Sequence, residues 1–455
     1  MSSTISSAHA LRLPPGPRAW TPLGQLLPFR RDVIGFLSRM AAEYGDVAYF
    51  KVGRMGAALL NHPDYVRDVL QTRNGNFVKG RPLHLAKHLL GEGLLTSEGD
   101  VHARQSRRVQ PAFHADRIEA YGAVMTGYAA RWSDGWSDGA TVDVMREMTN
   151  LATAIAGKTM FQWDLDSAVA KGIGVALADA MSLFSRASLP FAELLLKVPL
   201  PSTRRFYRAR AHLDDVIYAL VNERRAGGNR DAGDLLSMLL SAHGADGNGQ
   251  MTDRQVRDEA LTLFLTALDT TSLALTWTWY VLSQQPAVES LLHAEIDQVL
   301  GGKDPTIHDV ERLPYARMVF LETMRLYPPI YAIARQALQG FPVGGYHVPA
   351  GTLVLLSPYV MHRDPRYYPD PDRFDPLRWE ARAASRRPRF AYFPFGGGPR
   401  GCIGQSYAMQ EAVLVLATLA SRWRMRLAPG HRVAFEPLIN LRPRYGVRMV
   451  LERRR

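Results

Sequence analysis

The stretch FPFGGGPRGCIGQ, Phe393 to Gln405, holds the only cysteine in 455 residues. A single thiol can be a nucleophile, a redox sensor, a metal ligand or an inert buried group. It cannot form an intramolecular disulfide, which fits a reducing compartment. The residues behind it, IGQSYAMQEAVLVLATLASRW, are apolar on nearly every face and predict a buried helix with Cys402 at its N-terminus. Free N–H groups and the positive end of the helix dipole favour thiolate at such a place. A nucleophile needs a base, and the neighbours supply none. Gly396, Gly397 and Gly398 allow close backbone approach, and Arg400 brings fixed positive charge. That surrounding suits a large planar anionic cofactor, and haem, with two propionates and an axial sulfur ligand, fits it. An inert buried thiol remains the ordinary reading of a lone cysteine until its spacing is considered.

A second group lies in DEALTLFLTALDTTSLALTWTWYVL, where Asp269 and Thr270 interrupt an apolar helix. Burying an acid and a hydroxyl is costly unless they are bonded or functional. In the structural reading Thr270 bonds back to a carbonyl and Asp269 pairs with a lysine or arginine. In the functional reading the pair moves protons. A third group is LETMR, where Glu322 and Arg325 share one helix face and the helix stops before Pro328 and Pro329. The same spacing recurs at Glu452 and Arg455 in what reads as a solvated tail, so spacing alone carries little.

Phe395, Gly398, Arg400, Cys402 and Gly404 match F-x-x-G-x-R-x-C-x-G at every fixed position. On those residues the chain resembles the cytochrome P-450 superfamily of haem-thiolate monooxygenases. The resemblance implies haem b with Cys402 as its axial ligand and the other motif residues around it. It makes Glu322 and Arg325 part of a structural Glu-Arg-Arg cluster, completed by Arg373 of PDRF. It makes Asp269 and Thr270 the acid-alcohol pair of the distal helix, with Thr270 holding a water and Asp269 relaying protons inward. Arg335, in YPPIYAIARQA, matches a propionate-binding basic residue. His102, in GDVHARQSRRVQPAFH, opens a second propionate pattern, but Ser106 stands where an arginine is expected; Arg104, Arg107 and Arg108 are the candidates to replace it. Ala267 stands where glycine is common and trims the pocket. Leu85, Phe184, Ala267, Ile330 and Ile439 are expected along an apolar substrate pocket, under a lid and access channel between Ala180 and Arg210.

The implied reaction inserts one atom of dioxygen into an apolar compound, by hydroxylation or epoxidation. A fatty acid, a terpenoid and a macrolide-like product all satisfy that description. No flavodoxin-like or ferredoxin-like segment is appended, so electrons are expected from a separate acidic ferredoxin or flavodoxin with its NAD(P)H reductase. Arg104, Arg107, Arg108, Arg386, Arg387 and Arg389 are candidates to dock it, or ordinary solvated charges. The rivals are a peroxide-driven or isomerase-type haem-thiolate enzyme, a non-catalytic haem sensor or carrier, and a cysteine nucleophile without cofactor. The intact Asp-Thr pair argues against the first.

These residues need elements to position them. Apolar residues at helical spacing predict helices over Arg117 to Trp136, Ser167 to Arg186, Thr203 to Arg225 and Asp253 to Leu282. A hairpin is predicted from Asp46 to Asn61, and short strands from Arg335 to Val360 and from Arg432 to Leu451. Between them HRDPRYYPDPDRFDPLRW reads as an extended meander. The expected fold is mainly α with small β-sheets: a disordered tail over 1–12, then one large haem-thiolate domain over 13–455, the haem lying between the distal helix and the cysteine loop. A net charge of +12 permits acidic partners, but the scattered basic residues give no nucleic-acid signature. The first residues, MSSTISSAHAL, lack the apolar core of a signal peptide, and the two long uncharged runs are broken by polar residues, Gly and Pro. A soluble cytoplasmic monomer without a transmembrane segment is the expectation.

Overall fold

Thr252 starts the longest helix among the described residues by a reciprocal cap. Its hydroxyl accepts the Gln255 N–H at 3.3 Å and the Gln255 side chain accepts the Thr252 N–H at 2.9 Å. The computed structural model describes residues 12–18, 21–164, 172, 173, 175, 176, 179, 180, 196, 198–227, 233–241 and 251–454. The expected tail up to residue 11, Phe184 and most of the Ser167 to Arg186 helix lie outside the described residues. Within them the main helices are α1 (Gly99–Val109), α2 (Ala115–Asp134), α3 (Val144–Phe161), α4 (Pro201–Ala226), α5 (Asp253–Gln284), α6 (Pro314–Leu326) and α7 (Gln405–Arg422). Helix α5, about 48 Å long at 1.5 Å per residue, packs against α3, α4, α6 and α7. It is apolar and long enough to cross a membrane, but 83% of its most apolar window is buried inside the fold, as befits a core helix. Its hydroxyls are made compatible with that burial by bonding back one turn: Thr266 to the Thr262 carbonyl (2.8 Å), Thr276 to Ser272 (2.7 Å) and Thr278 to Ala274 (2.8 Å).

Sheet content is small. Strands β1 (Val47–Val52), β2 (Met55–Leu60), β3 (Phe77–Lys79), β4 (Ile333–Ala337) and β5 (Leu353–Leu356) form one sheet in the order β1-β2-β5-β4-β3. Only the β2–β5 pairing is parallel. The register of β3 on β4 sets Lys79 directly opposite Arg335. Near the C-terminus β6 (Phe435–Pro437) and β7 (Leu441–Pro443) make a short hairpin. The chain's end, Arg448–Arg453, pairs with Trp423–Leu427 just after α7 and with Thr141–Asp143.

The meander is fastened to the end of α6 by the cluster around Glu322. The Glu322 carboxylate has no exposure. It accepts two bonds from Arg325 (both 2.9 Å), one from the Asp375 N–H (2.9 Å) and one from the Trp379 indole (2.9 Å). Arg325 in turn donates to the carbonyls of His362 (2.8 Å), Pro371 (2.6 Å) and Arg373 (3.0 Å). The expected third arginine is corrected here. Arg373 contributes only its carbonyl, and its side chain is exposed. The arginine beside Glu322 is Arg378, with Nε 3.5 Å from the carboxylate. The sequence carries two Pro-x-Arg-aromatic runs, PDRF and PLRW. The short helical turn Pro376–Trp379 folds the second one back onto Glu322, while the first passes over Arg325 by its backbone.

Removing one partner of a buried ion pair costs about 3–5 kcal/mol, whereas an ordinary surface change stays within about 0.5 kcal/mol. Urea unfolding should therefore show Glu322→Ala strongly destabilised or unable to fold, Arg373→Ala near wild type, and Arg378→Ala between them.

Candidate active site

The cysteine loop leaves the meander at Tyr392, which stacks on His362 with ring centroids 4.8 Å apart. His362 then accepts the Phe393 N–H at 3.1 Å. The Cys402 N–H closes the loop onto the Phe395 carbonyl at 2.9 Å. Gly398 has φ +66°, and a Cβ there would lie 1.9 Å from the Leu70 carbonyl oxygen, so no larger residue fits. Gly404 is under no such constraint; a Cβ would meet only the Phe113 ring at 3.5 Å. Helix α7 begins at Gln405 with Gly404 as its cap residue. Cys402 thus precedes the helix instead of opening it, and among its backbone partners the Gly404 N–H is the one that lowers its thiol pKa. Burial outweighs that bond and pushes the thiol up, against the expectation of a helix-stabilised thiolate. Although protein crowds the residue, it keeps accessible surface. Cys402 thus combines a crowded surrounding with an accessible face.

A second set of side chains gathers cations. Arg400 donates to the Phe77 carbonyl and to the Glu98 carboxylate, both at 2.7 Å. Lys79 donates to the carbonyls of Leu94 (2.9 Å) and Ser97 (2.6 Å). Arg335, across the strand pair from Lys79, donates to the Ala334 carbonyl at 3.0 Å and has no carboxylate partner among the described residues. Burial, and then the like charge of Arg400, lowers Arg335 to about 10. Burial lowers Lys79 to about 7 despite Glu98. His102 is also buried and lowered to about 4, first by burial and then by Lys79 and Arg400, so it is neutral at pH 7. Like charges directly opposite on a sheet are destabilising. Here three buried or half-buried cations share Glu98, which leaves the cluster short of negative charge.

On α5 the burial pattern has a gap. Thr266, Ala267 and Thr270, spaced to share one face, remain partly accessible, while their neighbours Leu268, Asp269 and Thr271 are buried. The Thr270 hydroxyl donates to the Thr266 carbonyl at 2.8 Å. The Asp269 carboxylate points elsewhere, accepting from the Asn440 amide and the Arg442 guanidinium. Burial pushes its carboxyl up, and Arg442 and Asn440 pull it back. Both bonds of the structural reading are thus present, and the acid and the alcohol face different ways. Of the expected pocket residues, Leu85, Ala267 and Ile439 pack in the same apolar core as Phe395; Ile330 is half-buried outside it.

The Cytochrome P-450 family profile matches residues 14–441. The chain belongs to the cytochrome P-450 family. It is 38% identical over 418 residues to cyclooctatin synthase of Streptomyces melanosporofaciens, covering 92% of this chain and 91% of that one. Over 409 residues it is 37% identical to cyclooctat-9-en-7-ol 5-monooxygenase of the same organism, covering 90% and 88%. Pentalenene oxygenase of Streptomyces avermitilis is 32% identical, with 93% of both chains covered. Among solved structures, a cytochrome P-450DA haem domain superposes with a TM-score of 0.88 at 25% identity, covering 98% of both chains. This cytochrome P-450 is therefore an oxidoreductase of the monooxygenase class, which uses dioxygen, an organic substrate and a redox partner.

The family implies haem with a cysteine ligand, and the residues present fit that group. Cys402 keeps an accessible face, and the buried Arg335, without a carboxylate partner among the described residues, suits an anionic propionate. Sequence reading missed Lys79 and Glu98: FVK is too short a run to mark a buried lysine, and nothing local pairs Glu98 with Arg400. Arg104 and Arg107 are exposed and Arg108 is half-buried near Glu259, whereas Lys79 is buried opposite Arg335. Arg387 lies over the Trp379 ring at 4.5 Å and is a packing residue.

A charge-assisted hydrogen bond is worth about 1.5–3 kcal/mol, and 1.4 kcal/mol is tenfold in an equilibrium. Lys79→Met and Arg335→Met are each expected to speed haem transfer to apomyoglobin by about tenfold or more, with Arg104→Met unchanged.

Proposed function

We propose that this cytochrome P-450 is a haem b monooxygenase that hydroxylates or epoxidises a terpenoid hydrocarbon or alcohol. The reaction rests on one observation: the accessible stripe Thr266–Ala267–Thr270 on an otherwise buried helix, in a fold where Cys402 also keeps an open face. The substrate class is supported by the relatives whose names place them on cyclooctatin, cyclooctat-9-en-7-ol and pentalenene.

Haem ligated by Cys402 would supply oxidising power, the thiolate favouring O–O cleavage so that one oxygen atom enters the substrate and the other leaves as water. The chain's own residues do the rest. Arg335, Arg400 and Lys79 hold the propionates, with neutral His102 beside them. The Thr270 hydroxyl, released from the Thr266 carbonyl, holds a water and hands on protons that Asp269 supplies. Leu85, Ala267 and Ile439 exclude water and receive an apolar skeleton. Exposed Arg104, Arg107, Arg386 and Arg389 suit an acidic ferredoxin or flavodoxin.

The test is the visible spectrum of the dithionite-reduced protein under carbon monoxide. A Soret band near about 450 nm, lost in Cys402→Ala, is the expected signature of thiolate ligation; folded protein without it overturns the reading. Titration of the ferric enzyme with a panel of cyclooctat-9-en-7-ol, pentalenene and palmitic acid then reads the substrate class. The terpenoids should shift the Soret band at micromolar concentration; a shift with palmitic acid alone points to fatty-acid oxidation.

A further inference from the structure

The acid of the distal helix is held by the turn that carries a pocket residue. Residues 438–440 join β6 to β7, and three bonds bolt the turn and the start of β7 in place. The Tyr331 hydroxyl donates to the Leu438 carbonyl (2.8 Å), the Leu441 N–H donates to the Pro329 carbonyl (2.8 Å), and the Trp277 indole donates to the Leu441 carbonyl (2.9 Å). Trp277 lies two turns along α5 from Asp269. Asn440, between the bolts, and Arg442, one residue past them on β7, reach the two oxygens of the Asp269 carboxylate. Ile439 sits between Leu438 and Asn440, half-buried against the core that includes Ala267. A half-buried apolar side chain against the core is thus one residue from a side chain that grips the acid.

We propose that this turn couples substrate seating to proton supply: Asn440 and Arg442 are positioning residues for Asp269, and a substrate resting on Ile439 alters their grip. The proposal rests on Asp269 and Thr270 being the proton route. Asp269 must alternate between carrying a proton and being a bare carboxylate. Burial favours the first state and the two donors favour the second, so weakening the grip makes the acid hold its proton and frees it to turn toward Thr270. After the proton leaves through Thr270 and its water, the carboxylate returns to Arg442. That side chain is 19% accessible and borders the solvent from which the replacement proton comes.

The experiment uses the haem-loaded enzyme with a ferredoxin, its reductase and NADPH, with and without cyclooctat-9-en-7-ol from the panel above. It compares wild type with Arg442→Met, Arg442→Lys, Asp269→Asn, Ile439→Ala and the Asp269→Asn/Arg442→Met double variant. Three quantities are read: the share of electrons recovered as hydrogen peroxide, the solvent isotope effect on NADPH consumption, and the ligand dissociation constant from the Soret shift. Because the carboxylate left after each delivery then has no cation to return to, Arg442→Met should raise the peroxide share about threefold or more and move the isotope effect as Asp269→Asn does, with the dissociation constant within about twofold of wild type. The double variant should be no worse than Asp269→Asn alone, the non-additivity of residues acting as one unit. Arg442→Lys should recover most of the coupling. Ile439→Ala should raise the peroxide share only with the terpenoid present. If Arg442→Met matches wild type while Asp269→Asn does not, the positioning role is wrong and the proton route stands. If Ile439→Ala matches wild type, the link to substrate fails. If Asp269→Asn itself changes nothing, the proton route fails and the proposal falls with it.

Discussion

Glu322 is a carboxylate without solvent, and the site depends on how it is satisfied. Its donors come from α6, from the Asp375 backbone and from Trp379 in the meander, with the Arg378 charge beside it. The cluster therefore joins a core helix to a proline-rich segment with almost no regular structure of its own. That segment leads straight to the cysteine loop through His362, Tyr392 and Phe393. A buried carboxylate left without partners is far costlier than a lost surface contact, so the meander has one low-energy path and the loop after it one starting point.

The same electrostatic reasoning, run with the opposite sign, describes the cation cluster. Around Glu322 every charge is answered from within the chain. Around Lys79, Arg335 and Arg400 the answer is incomplete: Glu98 pairs with Arg400, Glu259 reaches only Lys79, and the sheet register holds two of the cations opposite each other. That imbalance is compatible with the anionic propionates of the family's cofactor.

Helix α5 meets a third form of the problem. It crosses the core carrying hydroxyls and acids, and most are bonded locally or claimed by a neighbour, the buried Thr262 hydroxyl being an exception. Thr271 donates to Glu411 on α7, whose carboxyl burial pushes up to about 8, so at neutral pH it is mostly a neutral acid tying the two core helices together. Thr270, one residue earlier, bonds only to its own helix on an accessible face. Adjacent threonines thus serve different ends because a turn of 100° separates their directions.

The sequence by itself determined most of the elements and the family motif around Cys402. Helical periodicity, turn residues and a five-position motif are local signals, read within a few turns of chain, and α2, α4, α5, the β1–β2 hairpin and the cysteine loop lie where those signals put them. Tertiary structure decided whatever depended on partners far apart in the chain. It chose Arg378 over Arg373, two arginines in like-looking runs that differ only in which one folds back. It set Lys79 opposite Arg335 across more than half the sequence, and it gave Asp269 to Asn440 and Arg442. Spacing can say that an acid on an apolar helix needs a partner; only packing supplies one, because desolvation cost is fixed by where the chain's distant segments come to rest.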